Sequence, residues 1–369
     1  MLKILYIVST LKRTGPTNQL YNIIKYLDPK LFSPSILTLS PESEDSMLES
    51  YNTLGVRISS LGLSRLQGLI KGARKLREYV KEIGPDLIHT QGIRADILSA
   101  YHLKKTKRVA TLRNYPYQDY IMKFGKLRGV YMAHKHLRAL QQIDCPVVCS
   151  QSNFRLLSDK HGLKFKVIQN GVDGAFFSVY SIEEKNNIRK KLGLSIQGKI
   201  FISVGALIAR KDPITLIKAF FTGGVDGENI LIMVGDGQLR PKCHKAVKGR
   251  TNVHFMGQIS NVNEYLRAAD YFVSTSTSEG LPNAVLEALS VGLPVCLSDI
   301  EPHREILNCE QGAGKLASVG DIKEFSDGIK ALTKNNYAHA SRAAVSIAHN
   351  HFNAQKMSVK YQDLYEGLM

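Results

Sequence analysis

Short, β-branched apolar runs alternate with longer amphipathic stretches along this 369-residue chain, and no other feature restricts its fold as much. Lys3–Thr10 (KILYIVST), Phe32–Ser40, Gly55–Leu61, Pro85–Thr90, Arg108–Leu112 and Pro146–Ser150 read as strands. Between them, Asn18–Leu27 and Arg65–Ile83 repeat apolar residues every three or four positions, as amphipathic helices do. The second half repeats the theme with Lys199–Leu207, Asn229–Gly237, Asn252–Ile259, Asp270–Ser276 and Leu293–Asp299. Strand–helix–strand alternation builds parallel sheets, so the expected class is α/β with two Rossmann-like domains whose strand ends face one cleft. A turn-forming Asn170–Gly171 and an irregular stretch precede a new helical pattern, which puts the boundary between residues 1–171 and 172–350. The tail, from about residue 351 to 369, is helical in pattern and needs a surface to cover; it is expected to join the first domain.

Charge is distributed unevenly. Residues 1–170 carry 27 Lys and Arg against 12 Asp and Glu, whereas residues 171–369 carry 22 against 20. A one-sided excess of about +15 implies an anionic partner for the first half, either nucleic acid or a membrane surface, or else a merely solvated face. Basic residues do not interleave with aromatics at the spacing of a recognised nucleic-acid module, which favours the membrane. Tyr120–Leu140 combines Lys123, Lys126, Arg128, Lys135 and Arg138 with Tyr120, Ile121, Met122, Phe124, Leu127 and Val130. That mixture suits a helix or helical pair lying on an anionic bilayer, or an amphipathic helix packed in its domain. No apolar run reaches the roughly 18 residues a membrane-spanning helix needs. The five cysteines are odd in number and scattered, which fits a reduced, cytoplasmic compartment; Cys145 and Cys149 lack a second pair that would make them zinc ligands, and no metal site is expected.

Chemistry concentrates where strands end. In Ser274–Pro294 (STSTSEGLPNAVLEALSVGLP), Glu279 lies in a loop after a strand and Glu287 one to two turns into the following helix. The Gly280–Asn283 backbone would supply an anion site at that helix start, with N–H groups from Gly280, Leu281 and Asn283 and none from Pro282. Arg210 and Lys211, in a loop that begins at Gly205, suit a leaving diphosphate or form a solvated loop. Val234–Gly237 (VGDG) reads as a tight turn, without the spacing of a full glycine phosphate loop. Gly15, after the first strand, either admits a phosphate to the next helix or belongs to an ordinary loop. Arg113 and Asn114 follow a strand of the basic half. Carboxylates accept hydrogen bonds from vicinal hydroxyls, so a ligand with a phosphate in the middle and polyols at both ends, a nucleotide sugar, fits this set.

The segment Glu279–Glu287 (EGLPNAVLE) resembles the E-x7-E motif of the family 4 retaining glycosyltransferases, which have the GT-B fold. Arg210–Lys211, Asn170–Asp173 (NGVD), Val234–Gly237 and Phe255–Gln258 (FMGQ, with Gly257) fall where that family has comparable segments. The resemblance implies a second domain that binds a UDP- or GDP-sugar donor and a first domain that binds a glycan or lipid-linked acceptor, with no cofactor. Glu287 would hold the donor ribose, Glu279 the transferred sugar, and Arg210 and Lys211 the diphosphate. Gly15, Gly205, Gly257 and Gly280–Asn283 would contact the donor. The implied activity is retaining, metal-independent hexosyl transfer in lipopolysaccharide, capsule or other polysaccharide synthesis, by a cytoplasmic enzyme at the inner face of the membrane.

Two departures stand out. The first loop holds Gly15 alone where many members have two glycines, and Arg113 stands where the family usually has a histidine. Arginine accepts no proton, so Arg113 would act electrostatically or on the acceptor, and His89 is either an alternative or a satisfied core histidine. Two rival readings are a nucleotide-sugar 2-epimerase of the same architecture, against which the E-x7-E spacing with Arg-Lys argues, and a basic nucleic-acid-binding protein.

Overall fold

A computed structural model describes residues 1–222, 224 and 227–369, without the side chain of Arg65. The chain divides into one unit of Met1–Asn170 with Ala354–Met369 and a second of Gly171–Asn353.

The first unit holds seven strands, β1 (Leu2–Val8), β2 (Phe32–Thr38), β3 (Arg57–Ser60), β4 (Leu87–Gln91), β5 (Lys107–Leu112), β6 (Cys145–Val148) and β7 (Lys166–Val167). They pair in parallel in the order β3-β2-β1-β4-β5-β6-β7. The second unit holds β8 (Ile200–Val204), β9 (Ile230–Val234), β10 (Val253–Gly257), β11 (Tyr271–Ser274), β12 (Val295–Ser298) and β13 (Gly314–Ala317), also parallel, in the order β10-β9-β8-β11-β12-β13. Both orders reverse direction beside the first strand of the unit, and ligands of open parallel sheets bind at such a reversal. β7 and β13 are absent from the sequence pattern. β7 has two residues, and β13 is an edge strand whose Lys315 and Leu316 are exposed, so neither forms an apolar run.

The tail forms helix Ala354–Glu366 and packs on helix Gly15–Lys25. Its Met357, Tyr361, Leu364 and Tyr365 enter the same apolar cluster as Ile4, Tyr6 and Leu20. A polar chain runs through this interface. His89 Nδ1 lies 2.7 Å from the Tyr365 hydroxyl and Nε2 2.8 Å from Thr111 Oγ1, which in turn lies 2.9 Å from the Tyr361 hydroxyl. His89 is fully buried, and burial pushes its pKa down to about 3, so it is a neutral core residue with both nitrogens paired.

Two helical segments expose large apolar side chains. Helix Arg65–Ile83 turns Gly68, Gly72 and Leu76 inward and leaves Leu66, Leu69 and Ile70 at 75%, 83% and 81% exposure. The basic stretch forms two helices, Pro116–Phe124 and Lys126–Leu140, broken at Gly125 (φ 80°). Met122, Phe124, Leu127 and Val130 are exposed beside Lys126 and Arg128. Tyr120 differs from the surface position expected of it: it is buried, with its hydroxyl 2.8 Å from His136 Nδ1, because His136 is itself held at 2.8 Å by the buried Asp96.

Replacing Tyr365 by Phe removes the hydroxyl that faces His89 and Tyr6. It should destabilise the protein by about 1–3 kcal/mol in chemical denaturation, the usual cost of an unsatisfied buried polar group, and leave nucleotide binding unchanged.

Candidate active site

At the carboxyl end of the second sheet, backbone meets backbone closely enough to dictate residue type. Gly205 follows β8, and a Cβ there would lie 3.2 Å from Lys211 Cε, so the lysine passes over it. Gly235 follows β9 with φ 126°, and a Cβ there would lie 2.1 Å from the Gly205 carbonyl. Its N–H donates to the Gly257 carbonyl at 2.7 Å. These glycines bring the loops after β8, β9 and β10 together. Gly205, Ala206, Leu207, Lys211, Ser274 and Ser276 line a recess in this edge.

Ala209–Lys211 form a single 3-10 turn that ends on Asp212 in the left-handed region (φ 42°). Hydrogen bonds attach this turn to the loop after β11. Thr275 Oγ1 donates to the carbonyls of Lys211 (3.1 Å) and Asp212 (2.8 Å), and the Thr277 N–H donates to the Arg210 carbonyl (2.8 Å). The result is a three-charge group. Arg210 Nη1 lies 2.6 Å from Glu279 Oε2 and 2.7 Å from the Ser278 carbonyl, and Lys211 Nζ lies 2.5 Å from Glu279 Oε1. The Glu279 side chain is 7% exposed. Burial by itself would raise its pKa, but the charges of Lys211 and then Arg210, with hydrogen bonds from Lys211 and Ser276, outweigh that and hold it at about 2.

Glu287 is in the opposite state. It lies on helix Asn283–Ser290, among buried Val285, Leu286, Ala288 and Leu289. Among the described residues its carboxyl has no hydrogen-bond or ion-pair partner, and burial pushes its pKa up to about 7. Gly280, Leu281 and Pro282 are buried between the two carboxylates, Asn283 is half-buried, and the Pro282 carbonyl accepts the N–H of Val285 and Leu286. One carboxyl is therefore ionised and committed, and the other stands ready for a partner that donates hydrogen bonds.

The remaining candidates lie in the first unit. Gly15 opens helix Gly15–Lys25 directly after β1, with Pro16 next. Arg113 follows β5 and turns its guanidinium onto its own unit. Nε and Nη2 donate to Gln91 Oε1 (3.3 and 3.2 Å), and Nη1 donates to Asn170 Oδ1 (2.6 Å). Gln91, at the end of β4, was not singled out in the sequence, although its place at a strand end is a readable signal. Ser276, Ser298 and His303 were likewise missed, and nothing in their spacing marks them.

Two parallel α/β units with a carboxylate-and-cation group at the strand ends define a GT-B glycosyltransferase. Residues 13–176 match the Glycosyltransferase Family 4 model, and residues 184–349 match that of Glycosyl transferases group 1. The O-antigen biosynthesis glycosyltransferase WclY of Escherichia coli is 27% identical over 100% of this chain and 99% of its own. The UDP-Gal:alpha-D-GlcNAc-diphosphoundecaprenol alpha-1,3-galactosyltransferase of Escherichia coli is 26% identical over 80% of this chain and 79% of its own. Among solved structures, sucrose-phosphate synthase from Thermosynechococcus elongatus superposes with a TM-score of 0.85 at 18% identity, covering 100% of this chain and 99% of that one. Anabaena Alr3699/HepE in complex with UDP and glucose superposes at 0.82 and 19% identity over 100% of both chains. This chain belongs to glycosyltransferase family 4.

Ionised Glu287 is an uncompensated charge in the folded protein, so its raised pKa implies stability that is present below its ordinary value of 4.5 and lost as pH rises through about 7. Without ligand, Glu287→Gln should match the wild type at pH 4.5 and exceed it at pH 8, by about 3 kcal/mol, in denaturant titrations at the two pH values.

Proposed function

We propose that this enzyme transfers a hexose-type sugar, with retention, from a UDP- or GDP-sugar to a lipid-linked or polysaccharide acceptor. The observation that carries the proposal is the contrast between Glu279, locked between Arg210 and Lys211, and the unpartnered Glu287 eight positions on. Ionised Glu287 accepts both ribose hydroxyls of the donor. Glu279 accepts from hydroxyls of the sugar being transferred, and its two cations keep further N–H donors for the diphosphate. As the acceptor oxygen bonds to the anomeric carbon, the bond to the diphosphate oxygen breaks, and the acceptor proton passes to the leaving phosphate on the same face. Negative charge grows on the diphosphate in that step, where Arg210 and Lys211 stand. Gly205, Gly257 and Gly280–Asn283 make room for the donor. Arg113, engaged by Gln91 and Asn170, shapes the acceptor side and moves no proton. A uridine donor is favoured by the relatives, which include a galactosyltransferase named for UDP-Gal and a structure solved with UDP and glucose.

A panel of nucleotide sugars read by release of the nucleoside diphosphate tests this directly. One donor should turn over in excess EDTA, because no three His, Cys, Asp or Glu side chains are grouped to hold a cation among the described residues and Arg210 and Lys211 supply the charge. Lys211→Ala and Glu287→Ala should each lower turnover about a hundredfold or more in that assay. Interconversion of the sugar without transfer would replace this reading by the epimerase.

The surface of the first unit supports a lipid-linked acceptor. No described helix is long and apolar enough to cross a membrane. Helices Arg65–Ile83, Ile93–His102 and Lys126–Leu140 cover one face of the first sheet: Leu76 and Ala95 share an apolar cluster with Leu5 and Ile88, and Ala100 and Leu137 share another with Ala110. Helix Arg65–Ile83 starts after the carboxyl end of β3, and the helix pair starts after that of β5. Leu66, Leu69 and Ile70 therefore lie toward the same end of the sheet as Met122, Phe124, Leu127 and Val130, with Lys71, Arg74, Lys126 and Arg128 among them. Apolar side chains rimmed by cations fit the inner face of a cytoplasmic membrane, where each basic residue contributes about 1 kcal/mol. Cosedimentation with anionic vesicles should be strong at low salt, weak at about 1 M salt where the Debye length falls to ~3 Å, and reduced when Lys123, Lys126 and Arg128 are changed to Gln. Retention on DNA in place of vesicles would contradict a lipid-linked acceptor.

A further inference from the structure

Beneath the Glu279 loop lies a buried histidine to which neither the motif nor the proposed chemistry assigns a task. His303 is on helix Glu301–Leu307, after β12, and is wholly buried. Its Nδ1 lies 2.8 Å from the Ser298 carbonyl and 3.1 Å from Ser298 Oγ. Ser298 Oγ lies 2.5 Å from the Ser276 carbonyl. Ser276 stands three residues before Glu279 in the loop after β11, with its hydroxyl 3.1 Å from Ser274 Oγ, and it helps to hold the Glu279 carboxyl low.

The proton positions follow from what each group can do. A carbonyl only accepts, so the Ser298 hydroxyl donates to Ser276 and the ring donates to the Ser298 carbonyl from Nδ1. With its hydrogen directed at Ser276, Ser298 Oγ can only accept, and the shared Nδ1–H reaches it too. One tautomer satisfies all three bonds. Nε2 is then a lone pair, buried and without a hydrogen-bond partner among the described residues. Burial, opposed by the Ser298 hydrogen bond and the Glu279 charge, keeps His303 neutral down to about pH 4, and the nearby Lys211 charge acts in the same sense as burial. A neutral ring is needed for a defined acceptor on Nε2 and a defined donor on Nδ1.

We infer that His303 is a positioning residue for glycosyl transfer: through Ser298 and Ser276 it fixes where Glu279, and with it the Arg210–Lys211 pair, stands against the donor. The inference rests on the proposed role of Glu279. Catalytic groups lose rate when displaced by a fraction of an ångström, and buried hydrogen-bonded partners are what hold them. The chain runs from β12 to the loop after β11 with no exposed member: Ser276, Ser298 and His303 all show 0% exposure.

The test compares five variants in the nucleoside diphosphate release assay with the donor that the wild type turns over, each checked for folding by thermal melt and for binding of that nucleoside diphosphate. His303→Leu and Ser298→Ala should each lower kcat about tenfold, the effect of one lost hydrogen bond, with a much smaller change in donor KM. His303→Asn, whose amide N–H can stand in for Nδ1–H, should recover most of that rate. The His303→Leu/Ser298→Ala double variant should be no slower than the slower single one, because both break the same chain. Wild-type kcat in folded His303→Leu or in Ser298→Ala overturns the inference, as does an Asn variant as slow as Leu. If His303→Leu fails to fold, Ser298→Ala and His303→Asn decide alone. Glu279→Gln separates the two levels: if it retains full activity, the site assignment falls. If it loses activity while Ser298→Ala and His303→Leu keep theirs, only the role of His303 falls.

Discussion

The ion pair of Glu279 with Arg210 and Lys211 is the contact on which the rest of this site depends. It joins residues 68 and 69 positions apart in sequence, and so ties the loop after β8 to the loop after β11 at the carboxyl edge of one sheet. Two cations around one buried carboxylate leave a net positive charge, which a low-dielectric edge does not screen well. A buried pair adds little stability in general, because desolvation offsets attraction. Its value here is geometric. Thr275, Thr277 and Ser276 add hydrogen bonds to the same loops, so the cations are fixed before any substrate arrives.

Glu287 shows the complementary design. It shares a motif with Glu279 but is half-buried on an apolar helix with no cation beside it, so its pKa is raised and it waits for donors. The apo protein carries this as a stability deficit near neutral pH, and a ligand with two hydroxyls would remove it. The two glutamates thus differ in state because of what surrounds them, while their residue type is the same.

Much of this was legible in the sequence, and for identifiable reasons. Eleven long or apolar strands announced themselves through β-branched runs, whereas β7 and β13, short and polar or edge-exposed, did not. The motif could be placed at a strand end because strand, loop and helix are contiguous between Tyr271 and Ser290. Pairing across the sheet could not be read. That Glu279 is held by Arg210 and Lys211, that Arg113 is occupied by Gln91 and Asn170, and that His303 lies under the Glu279 loop all follow from strand order, which spacing does not encode. Helix Arg65–Ile83 is the reverse case. Its Leu66, Leu69 and Ile70 have the i, i+3, i+4 spacing of a core face, but the face with Gly68, Gly72 and Leu76 is the buried one, and at Gly68 the Arg94 guanidinium fills the place a side chain would take.

The central claim is that donor binding converts Glu287 from a carboxyl with a raised pKa into a hydrogen-bonded carboxylate. Calorimetry of UDP-glucose binding in buffers of different ionisation enthalpy measures the protons exchanged, and the nucleotide sugar itself has no group that titrates near neutrality. The account predicts proton release at pH 6.5, where Glu287 is still largely protonated in the free enzyme, falling to none at pH 8.5, and none at either pH in Glu287→Gln. Binding at pH 6.5 with no proton released, or with the same release in Glu287→Gln, would contradict it.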